Sequence, residues 1–457
     1  MSNYLPPVSI ELPDDTQPSS KLIEYCLNRY SGEFRRLNRL RRYYLTDNDI
    51  RRAMLGNPDF PYLRIAHAFP RYISKIATAF FMGKGLRYQT KDDVFQSYLD
   101  EIRNDTYADT QNYEAAKEMS ISGVAYELQY LNPKGRYKSK VLKANEVIPI
   151  FSAGIDHFLH MAVRFYAANS LDGSAVRWAE VYTNSEVVTY CLTGGGWRET
   201  QRRSHLLGSV PVILRRNNEE RKGDFEDVIP QIDAYDRAQS DTMNDLDYFS
   251  DAYLKMTGVD EMVEEVPEEE NGARILKQRD SKCMKYKRML YFPEGGDAEF
   301  LQKDTNDTAT ENFKSRLYRD IFFLSQVPNL TDESFAGNLS GIAMKYKLYG
   351  LSELSEEKEK YWISAERKKI QMMTQYINLR HLSNYDWHDV EISFDRSAFA
   401  NSLEISQEMN NLRELLSKRT IIGLYPGIAD PDEELQQMRK EQAAEGSGVE
   451  PPEGGVY

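Results

Sequence analysis

The stretch DFEDVIPQIDAYDRAQSDTMNDLDYFSDAYLKMTG, Asp224–Gly258, organises the rest of this chain. Its apolar residues recur at steps compatible with one helical face, and they predict a long helix that stops at Gly258. The remaining faces are rich in carboxylates, and Arg237 and Lys255 are the only basic residues among them. Such a helix needs neighbours for its apolar stripe and presents negative charge to whatever lies opposite. The apolar positions are Val228, Ile232, Tyr235, Leu246, Phe249 and Tyr253, and the carboxylates are Asp233, Asp236, Asp241, Asp245, Asp247 and Asp251.

Composition limits the classes of protein to which this chain can belong. The 457 residues carry a formal net charge of -13, which argues against a static nucleic-acid binder because such proteins normally show a basic surface. Acidity does not exclude a protein that must let a polyanion slide past it. Three widely spaced cysteines, none in a CxxC pair, indicate free thiols in a reducing compartment. No signal peptide and no apolar run of about 18 residues is found, so no membrane association is expected.

The order of patterns along the chain predicts an α+β fold. Residues 21–55 are expected to be helical with a break at Gly32, and helices are predicted over Pro70–Met82 and Tyr107–Ser122. From Val124 to Asn217 the apolar period is close to two, as in a mostly antiparallel sheet. The glycines at 194–196 are interpreted as a hairpin turn rather than a phosphate-binding loop, because no helix with a Lys-Ser/Thr pair follows.

The second half of the chain predicts a helical hairpin with an insertion at its tip. The acidic stretch leads into a small polar region with strand-like patterning over Val259–Asp304. A capping box at Thr308–Glu311 opens a second helix that ends before Pro328. A very long helical stretch follows over Ile342–Leu379, with Glu353–Lys360 as a charged face.

Motifs of known chemistry are absent. The sequence has no HExxH, Walker loop, GxSxG or paired CxxC. His157 and His160 have the spacing of two metal ligands on a helix but lie in a strand and turn region without a third ligand. Neither a cofactor nor a metal is therefore expected. The arginines of Phe34–Leu45 are interpreted as a solvated or inter-subunit face, with phosphate contact as the alternative.

Several stretches together resemble the portal proteins of tailed bacteriophages, in the branch of long-tailed phages. One matching pattern is formed by Asn217-Asn218, Asp224-Phe225-Glu226, Ile232-Asp233-Ala234-Tyr235, Ser240-Asp241, Asn244-Asp245 and Asp251-Ala252-Tyr253-Leu254. A second is formed by Pro328-Asn329, Asp332-Glu333, Phe335, Gly337-Asn338, Ser340-Gly341, Ala343, Lys345 and Tyr346-Lys347-Leu348. Gly123–Glu127 also fits, and Phe81–Lys84 fits weakly, because Gly85 stands where the family usually has proline. The matches span roughly residues 60–430 in the expected order.

The resemblance implies a subunit with distinct regions. It places an α+β wing at 1–225, a first stem helix at 226–257, a small β-containing clip at 258–304 and a second stem helix at 305–327. It further places a tunnel loop at 328–341, a long tunnel helix returning to the wing at 342–399, and a helical crown with a flexible tail at 400–457.

The resemblance also implies a function. The chain would form a homo-oligomeric ring, usually of twelve subunits, at one capsid vertex, through which double-stranded DNA is packaged and ejected without sequence specificity. The implied partners are the terminase large subunit, a head-completion or adaptor protein, scaffolding protein and the major capsid protein. The chain would be a virion component assembled in the host cytoplasm, and it would not be an enzyme.

Candidate site residues follow from this mapping. The tunnel loop would present Asn329, Thr331, Asp332, Glu333, Ser334, Phe335, Asn338 and Ser340 to DNA, with Lys345 and Lys347 as candidates for brief contact. Asp233, Asp241, Asp245 and Asp251 would form an acidic stem face that keeps friction with DNA low. Arg274, Lys277, Lys285, Lys287 and Arg288 would form the partner surface of the clip.

Two other classes of function compete with this interpretation. A soluble metal-dependent hydrolase with an acidic cleft would need a pair of carboxylates at strand ends beside a pocket. The acids instead crowd a long helix. A coiled-coil scaffold or adaptor would need a sustained heptad repeat, which the apolar period does not provide.

Overall fold

The chain folds into two compact units. The computed structural model describes residues 9–53, 62–169, 175–250, 254–257, 269–270, 273–274, 289–292, 307–331, 341–394, 410–413, 416–423 and 431–446. The described parts of Met1–Arg41, Tyr72–Glu226 and Ser325–Tyr457 form the first unit, and those of Arg42–Arg71 and Asp227–Leu324 form the second. Residues 42–71, which the resemblance places in the wing, therefore group with the acidic stretch.

A six-stranded sheet dominates the first unit. Its neighbours pair antiparallel except β1, which lies parallel to β5. In spatial order the strands are β1 (Ile10–Leu12), β5 (Val147–Ser152), β6 (Leu159–Asn169), β7 (Ala175–Tyr182), β8 (Glu186–Thr193) and β9 (Gly196–Ser204). Thr193 pairs with Gly196 across the turn, which confirms the hairpin interpretation of the glycines at 194–196.

Helices α1 (Ser20–Arg29) and α2 (Ser31–Tyr44) contribute side chains to the core of this sheet. The Ser19 hydroxyl accepts a hydrogen bond from the Leu22 amide at 3.2 Å and so caps α1. The predicted break at Gly32 lies two residues earlier, at Tyr30, whose side chain is buried. Burial of Ile23, Val163 and Val181 at 0% exposure identifies this core as a continuous apolar interior.

A second core lies between helices and a three-stranded sheet. The sheet has the order β10 (Val212–Arg216), β3 (Val124–Leu131), β4 (Tyr137–Leu142), and β2 (Leu86–Gln89) pairs separately with β15 (Glu391–Phe394). The helices that contribute to the core are α3 (Phe69–Met82), α4 (Asp93–Thr106), α5 (Ala108–Ser122) and a later long helix.

Gly123 ends α5 at φ +80°, in the left-handed region that favours glycine. A Cβ added there would lie 1.8 Å from the carbonyl oxygen of Arg221. The turn that joins α5 to β3 therefore excludes any side chain at this position, and the predicted helix end at Gly123 is confirmed.

The second unit is built around two helices. They are α6 (Ile229–Ser250) and α7 (Asp307–Leu324), which pack through Tyr235 and Tyr318 with ring centroids 6.3 Å apart. Phe69 contacts both rings. The predicted helix end at Gly258 is wrong, because α6 ends at Ser250 and Leu254–Thr257 instead forms β11, parallel to β14 (Met289–Phe292). Hydrogen bonds to β14 satisfy the backbone N–H and C=O groups of β11, which hydrogen bonds within a helix would otherwise satisfy. A two-residue pair, β12 (Glu269–Glu270) with β13 (Ala273–Arg274), completes the described strands.

The chain returns to the first unit through α8 (Gly341–Lys347) and the 33-residue α9 (Tyr349–His381). The sequence predicts one continuous helix here, but Leu348 interrupts it with φ −94° and ψ 1°. Short helices α10 (Lys418–Gly423) and α11 (Pro431–Gly446) follow. Among the described residues, no helix is long and apolar enough to cross a membrane.

Candidate functional site

The turn at the start of the predicted DNA-facing loop is held by one hydroxyl group. Tyr72 Oη donates to the Pro328 carbonyl at 3.2 Å and accepts from the Leu330 amide at 2.8 Å. Asn329 Oδ1 in turn accepts from the amide and the hydroxyl of Thr331. The chain therefore begins this loop from a fixed point. The other predicted loop residues, Asp332, Glu333, Ser334, Phe335, Asn338 and Ser340, lie outside the described residues.

Helix α8 follows the loop and presents cationic and aromatic side chains together. Lys345 is exposed and Lys347 is half-buried. Tyr346 in α8 and Tyr349, the first residue of α9, are 79% and 62% exposed. Large exposed aromatic side chains indicate a surface that meets another molecule.

A group of buried charges fixes α9 against the three-stranded sheet. Arg215 on β10 lies between Glu127 on β3 and Glu366 on α9, with N–O distances of 2.7 and 2.6 Å. Lys369 Nζ lies 2.7 Å from the second oxygen of Glu127. All four side chains are at most 3% exposed. Two cations and two carboxylates leave the group neutral, as burial requires.

Aromatic rings enclose this group, which we name the buried quartet (Glu127, Arg215, Glu366 and Lys369). The Arg215 guanidinium lies 4.0 Å from the Trp362 ring centroid. Tyr88 donates a hydrogen bond to Glu366. Burial alone would raise the pKa of Glu127, but Lys369 and Arg215 outweigh it and hold that pKa below its usual range. The Glu127 carboxylate is therefore interpreted as an ionised partner of Arg215 and Lys369.

A second buried ion pair joins α9 to the loop after β10. Lys358 Nζ lies 2.6 Å from Asp224 Oδ2, and both side chains are at most 3% exposed. Asn217 Nδ2 donates to the other oxygen of Asp224 at 2.8 Å. Asn218 accepts the Lys222 amide at 2.8 Å and closes the loop. The interpretation of Glu353–Lys360 as a charged outer face is therefore wrong for Lys358, which points inward.

The acidic face of α6 is only partly free to meet solvent. Tyr43 donates to Asp233 at 2.5 Å, and Tyr62 donates to Asp241. Asp241 is also 3.7 Å from Arg237 and remains half exposed, and Asp245 is half-buried. Asp251 lies outside the described residues. The sequence interpretation of a carboxylate face is wrong for Asp236, whose side chain is 0% exposed.

Asp236 belongs to a polar ladder on α6, formed by Asp236, Ser240 and Asn244 along the extended segment 63–67. The amides of Leu63, Ile65 and His67 donate to Asn244, Ser240 and Asp236 at 2.8, 2.9 and 3.0 Å. Four helical residues rise about 6 Å, and two extended residues span about 6.6 Å. The two spacings match closely enough for every second amide to meet a helix side chain.

The Arg-rich segment of α2 is bound within the chain. Arg36 forms ion pairs with Glu33 and Glu226, each at 2.8 Å. Arg41 pairs with Glu118, and Arg42 lies 3.2 and 2.7 Å from Asp47 and Asp49. Arg36, Arg41 and Arg42 thus form internal ion pairs. The interpretation of a solvated or inter-subunit face, with phosphate contact as the alternative, is wrong for Arg36, whose side chain is 9% exposed. Arg41 and Arg42 are partly buried, and Arg35 is exposed.

The structure describes little of the predicted clip surface. Arg274 lies in β13, where its backbone is described, and Lys277, Lys285, Lys287 and Arg288 lie outside the described residues. The prediction that these residues bind partners therefore stays a prediction.

An open polar groove of about 660 Å³ runs along the start of α9. Glu353, Glu356 and Glu357 line it together with Arg216 and Lys360. Burial, reinforced by Glu220, raises the pKa of Glu357. The groove's carboxylates come from one helix rather than from strand ends, and no described group of three or more His, Cys, Asp or Glu side chains is arranged to hold a metal. The described residues thus give the metal-dependent hydrolase no support.

Comparison with known proteins identifies the family. Residues 23–448 match the family described as phage portal protein, SPP1 Gp6-like. The chain belongs to this portal family. The portal protein of Bacillus phage SPP1 is 23% identical over 455 residues, covering 93% of this chain and 87% of that protein. The portal protein of Clostridium phage phiCD119 is 22% identical, covering 68% of each chain.

Two solved structures are also similar to the chain. One is the neck of an empty GTA particle computed with C6 symmetry, with a TM-score of 0.41, 14% identity and coverage of 83% of this chain and 93% of that one. The other is the virion of a native gene transfer agent particle, with a TM-score of 0.40, 15% identity and coverage of 85% and 94%. The portal family consists of structural proteins, so membership supports the prediction that the chain is not an enzyme.

Several residues of the portal motifs form hydrogen bonds that connect separate elements of the fold. Asn217, Asn218 and Asp224 close the loop after β10, and Ser240 and Asn244 belong to the polar ladder. Sequence reasoning missed the buried quartet. Its signal was present, because Glu127 and Arg215 each stand within a run that otherwise predicts a buried strand, and a buried charge needs a partner.

Proposed function

We propose that this portal family member forms a ring at one capsid vertex through which double-stranded DNA enters and leaves the particle. The observation that carries the proposal is the family match over residues 23–448. On this proposal the chain is a virion component, and twelve subunits form the ring. Exposed Met243 and Leu246 on α6 and Phe313 and Phe323 on α7 support contacts with neighbouring copies, because a lone subunit would leave this apolar area in water.

The proposed regions of the subunit follow the boundaries given by the resemblance. Helices α6 and α7 would be the stem, residues 258–304 the clip, 328–341 the tunnel loop, α9 the tunnel helix and 400–457 the crown. The two long helices pack against each other, and a small stranded region lies between them in the sequence, which supports a stem with a clip at its tip.

The proposed DNA surface combines few cations with many acids. Duplex DNA carries one phosphate for about every 1.7 Å of its axis, so a strongly basic wall would hold it in place. Lys345 and Lys347 in α8 would make brief contacts with the phosphates, and the exposure of Lys345 supports this role. Exposed Asp241 and half-buried Asp245 would keep the remaining surface repulsive at short range, since charge is screened beyond about 8–10 Å.

The proposed partners are those of a connector. The clip would dock the terminase large subunit during packaging and an adaptor protein afterwards, and the wing would meet scaffolding and capsid proteins. The internally paired arginines of α2 argue against that segment as the source of a basic docking surface. The basic residues between 274 and 288 remain the candidates.

Native mass spectrometry and negative-stain images of the purified full chain test the ring. The expected result is a closed particle with a central hole and a mass near twelve subunits of 52.9 kDa. A compact monomer or dimer at micromolar concentration would contradict the proposal. A closed ring with another subunit number would contradict only the number.

Charge reversal tests the repulsive wall. Asp241→Lys together with Asp245→Lys is expected to slow packaging and to increase DNA retention. The matched control is Asp156→Lys, which changes an exposed acid between β5 and β6. Packaging velocity and retention equal to the unmodified protein would contradict the repulsive role of these acids and leave the ring proposal standing.

A further inference from the structure

Four inward-facing positions of α9 contact fixed polar partners. They are Lys358, Trp362, Glu366 and Lys369, separated by four, four and three residues, so they share one helical face. Their partners belong to β3, β10 and the loop after β10. The contacts extend over about 16 Å of helix, or three turns. A helix held at so many points along its length has little freedom to slide.

Charged contacts specify this position more sharply than the apolar ones beside them. A slip of α9 by one turn would keep its apolar face on the core but move each side chain about 5.4 Å along the helix axis, away from its partner. Lys358 and Lys369 would then lose the carboxylates of Asp224 and Glu127 while still buried, which is strongly unfavourable. Apolar neighbours such as Ile370 and Met373 would exchange one apolar contact for another. The ionic contacts therefore allow one register, whereas the apolar contacts allow several.

We propose that the buried quartet and the Asp224–Lys358 pair are positioning residues that set the register of α9 and hence the place of α8, the proposed DNA-contacting helix before it. The second half of this proposal rests on the proposed function. Leu348 alone separates α8 from α9. Its amide donates to the Met344 carbonyl at 3.0 Å, and its carbonyl accepts from the Ser352 amide at 2.9 Å. An axial shift of α9 is thereby transmitted to Lys345 and Lys347.

The segment between Pro328 and α8 is then fixed at both of its ends. Tyr72 holds the turn at Pro328 and Leu330. The register of α9 determines where α8 begins at Gly341. A change of one turn in α9 would move the second end by about 5.4 Å and leave the first in place. The position of Lys345 and Lys347 relative to DNA thus depends on buried side chains elsewhere in the chain.

Stability and register are separable for a buried ion group. Replacing such a group as a whole with apolar residues of similar size is often neutral or stabilising, whereas removing one partner is costly. The decisive variant is therefore the apolar quartet Glu127→Leu, Arg215→Met, Glu366→Met and Lys369→Met. The control is Lys360→Met with Arg367→Met, which removes two exposed charges from the outer side of the same helix.

The readouts are thermal unfolding, amide hydrogen exchange of residues 341–381 in the purified full-length protein, and DNA retained per particle. The apolar quartet is expected to keep the melting temperature but to lose protection by at least about tenfold over α8 and α9. Packaged DNA should fall in parallel. The control variant should match the unmodified protein in all three.

A charge exchange gives an independent test if the apolar quartet does not fold. Asp224→Lys with Lys358→Asp restores a pair at the same place, whereas Lys358→Met does not. The exchange is expected to recover protection and DNA retention relative to Lys358→Met. Unchanged hydrogen exchange and packaging in a folded apolar quartet, or a charge exchange no better than Lys358→Met, would overturn the proposal. Since hydrogen exchange is measured without DNA, failure of the ring to pass DNA would affect only the proposed function.

Discussion

Lys358 shows how much one side chain can depend on its surroundings. It lies in a run of charged residues yet is 2% exposed, and its ammonium meets the Asp224 carboxylate. Lys360, two residues later, faces solvent. Sequence alone does not distinguish the two lysines, because the helical period around them contains charges on both sides. The structure separates an internal partner from a surface charge.

Lys358→Met is expected to lower the free energy of unfolding by about 3 kcal/mol, because it leaves a buried carboxylate without its cation. Lys360→Met should change it by less than about 0.5 kcal/mol. Denaturant unfolding of the two variants measures the difference. Equal effects would show that the Asp224–Lys358 pair contributes nothing beyond helix propensity.

The pH dependence of stability should reflect Glu127. An unfolded glutamate titrates near pH 4.3, whereas the cations beside Glu127 hold its folded pKa below the usual range. The stabilisation is therefore present above about pH 4.3 and is lost as the pH falls towards the folded pKa. Melting temperatures between pH 7 and pH 3 should fall less steeply for Glu127→Gln with Lys369→Met than for the unmodified protein. Parallel curves would contradict this assignment.

Two glycines with left-handed backbones provide a matched pair. Gly123→Ala places a methyl group against the Arg221 carbonyl, whereas Gly135→Ala at φ +71° meets nothing within 4 Å. The second change should cost about 1–2 kcal/mol from backbone strain alone. The first should cost clearly more, because the turn must also move. Thermal unfolding of both variants checks the order, and a smaller loss for Gly123→Ala would contradict it.

At the scale of elements, the sequence predicted most of the long helices and strands but few of the contacts that join them. Helices α3, α5 and α7 and the strand-rich character of residues 124–217 follow from period and capping residues. No pattern marked helix α4 or the strands β1, β2, β4 and β9 individually. Strand β9 contains Arg198, Arg202 and Arg203, and its composition resembles a loop because it is exposed along its whole second half. Charged edge strands are stabilised by pairing that no local pattern reveals.

The candidate site was predictable in part for a physical reason. The motif at Pro328–Leu348 identified the segment that α9 follows, and this could be recognised because turn-forming residues carry local sequence signals. The buried quartet could not be assembled, because its members lie up to 242 positions apart and only the tertiary fold brings Glu127 to Lys369. Asp236 was assigned to a solvent face, since nothing in the helix alone indicates the segment that covers it.

The polar ladder on α6 makes its own prediction. Asn244→Ala removes both an acceptor for the Leu63 amide and a donor to its carbonyl, at 2.8 and 2.9 Å. Amides of residues 62–67 should exchange about tenfold faster, in keeping with the loss of a pair of hydrogen bonds. The control is Arg237→Ala on the exposed side of the same helix. Hydrogen exchange that is equal in both variants would show that the ladder does not hold the segment.

At the scale of the whole molecule, the chain has a net charge of -13. Several of its lysines and arginines form ion pairs inside the fold instead of facing solvent. Arg36, Arg41, Arg215, Lys358 and Lys369 all meet carboxylates of the same chain. A ring of such subunits has fewer cations with which to hold a phosphate backbone. The carboxylates that these cations meet are removed from the surface as well, so the net charge of -13 stays with the surface while fewer cations remain there.

Substitution of the two lysines of α8 tests this at the level of the particle. Lys345→Ala with Lys347→Ala should weaken the retention of packaged DNA. It should also reduce the dependence of retention on salt, by about one unit of log–log slope for each phosphate that a lysine no longer neutralises. Lys134→Ala, an exposed lysine in the turn between β3 and β4, is the control. DNA retention is measured across a salt series. If the double variant and the Lys134→Ala control release DNA alike, the α8 lysines have no role in retention.

The spacing of the polar ladder limits how this region can change in length. The amides of residues 63, 65 and 67, every second one along the segment, donate to side chains of α6. An insertion or deletion of one residue within 63–67 would turn every following amide away from its helix partner, whereas a change of two would restore the alternation. Insertions and deletions among relatives should therefore change this segment by even numbers of residues. An alignment of portal sequences over residues 63–67 would test this prediction.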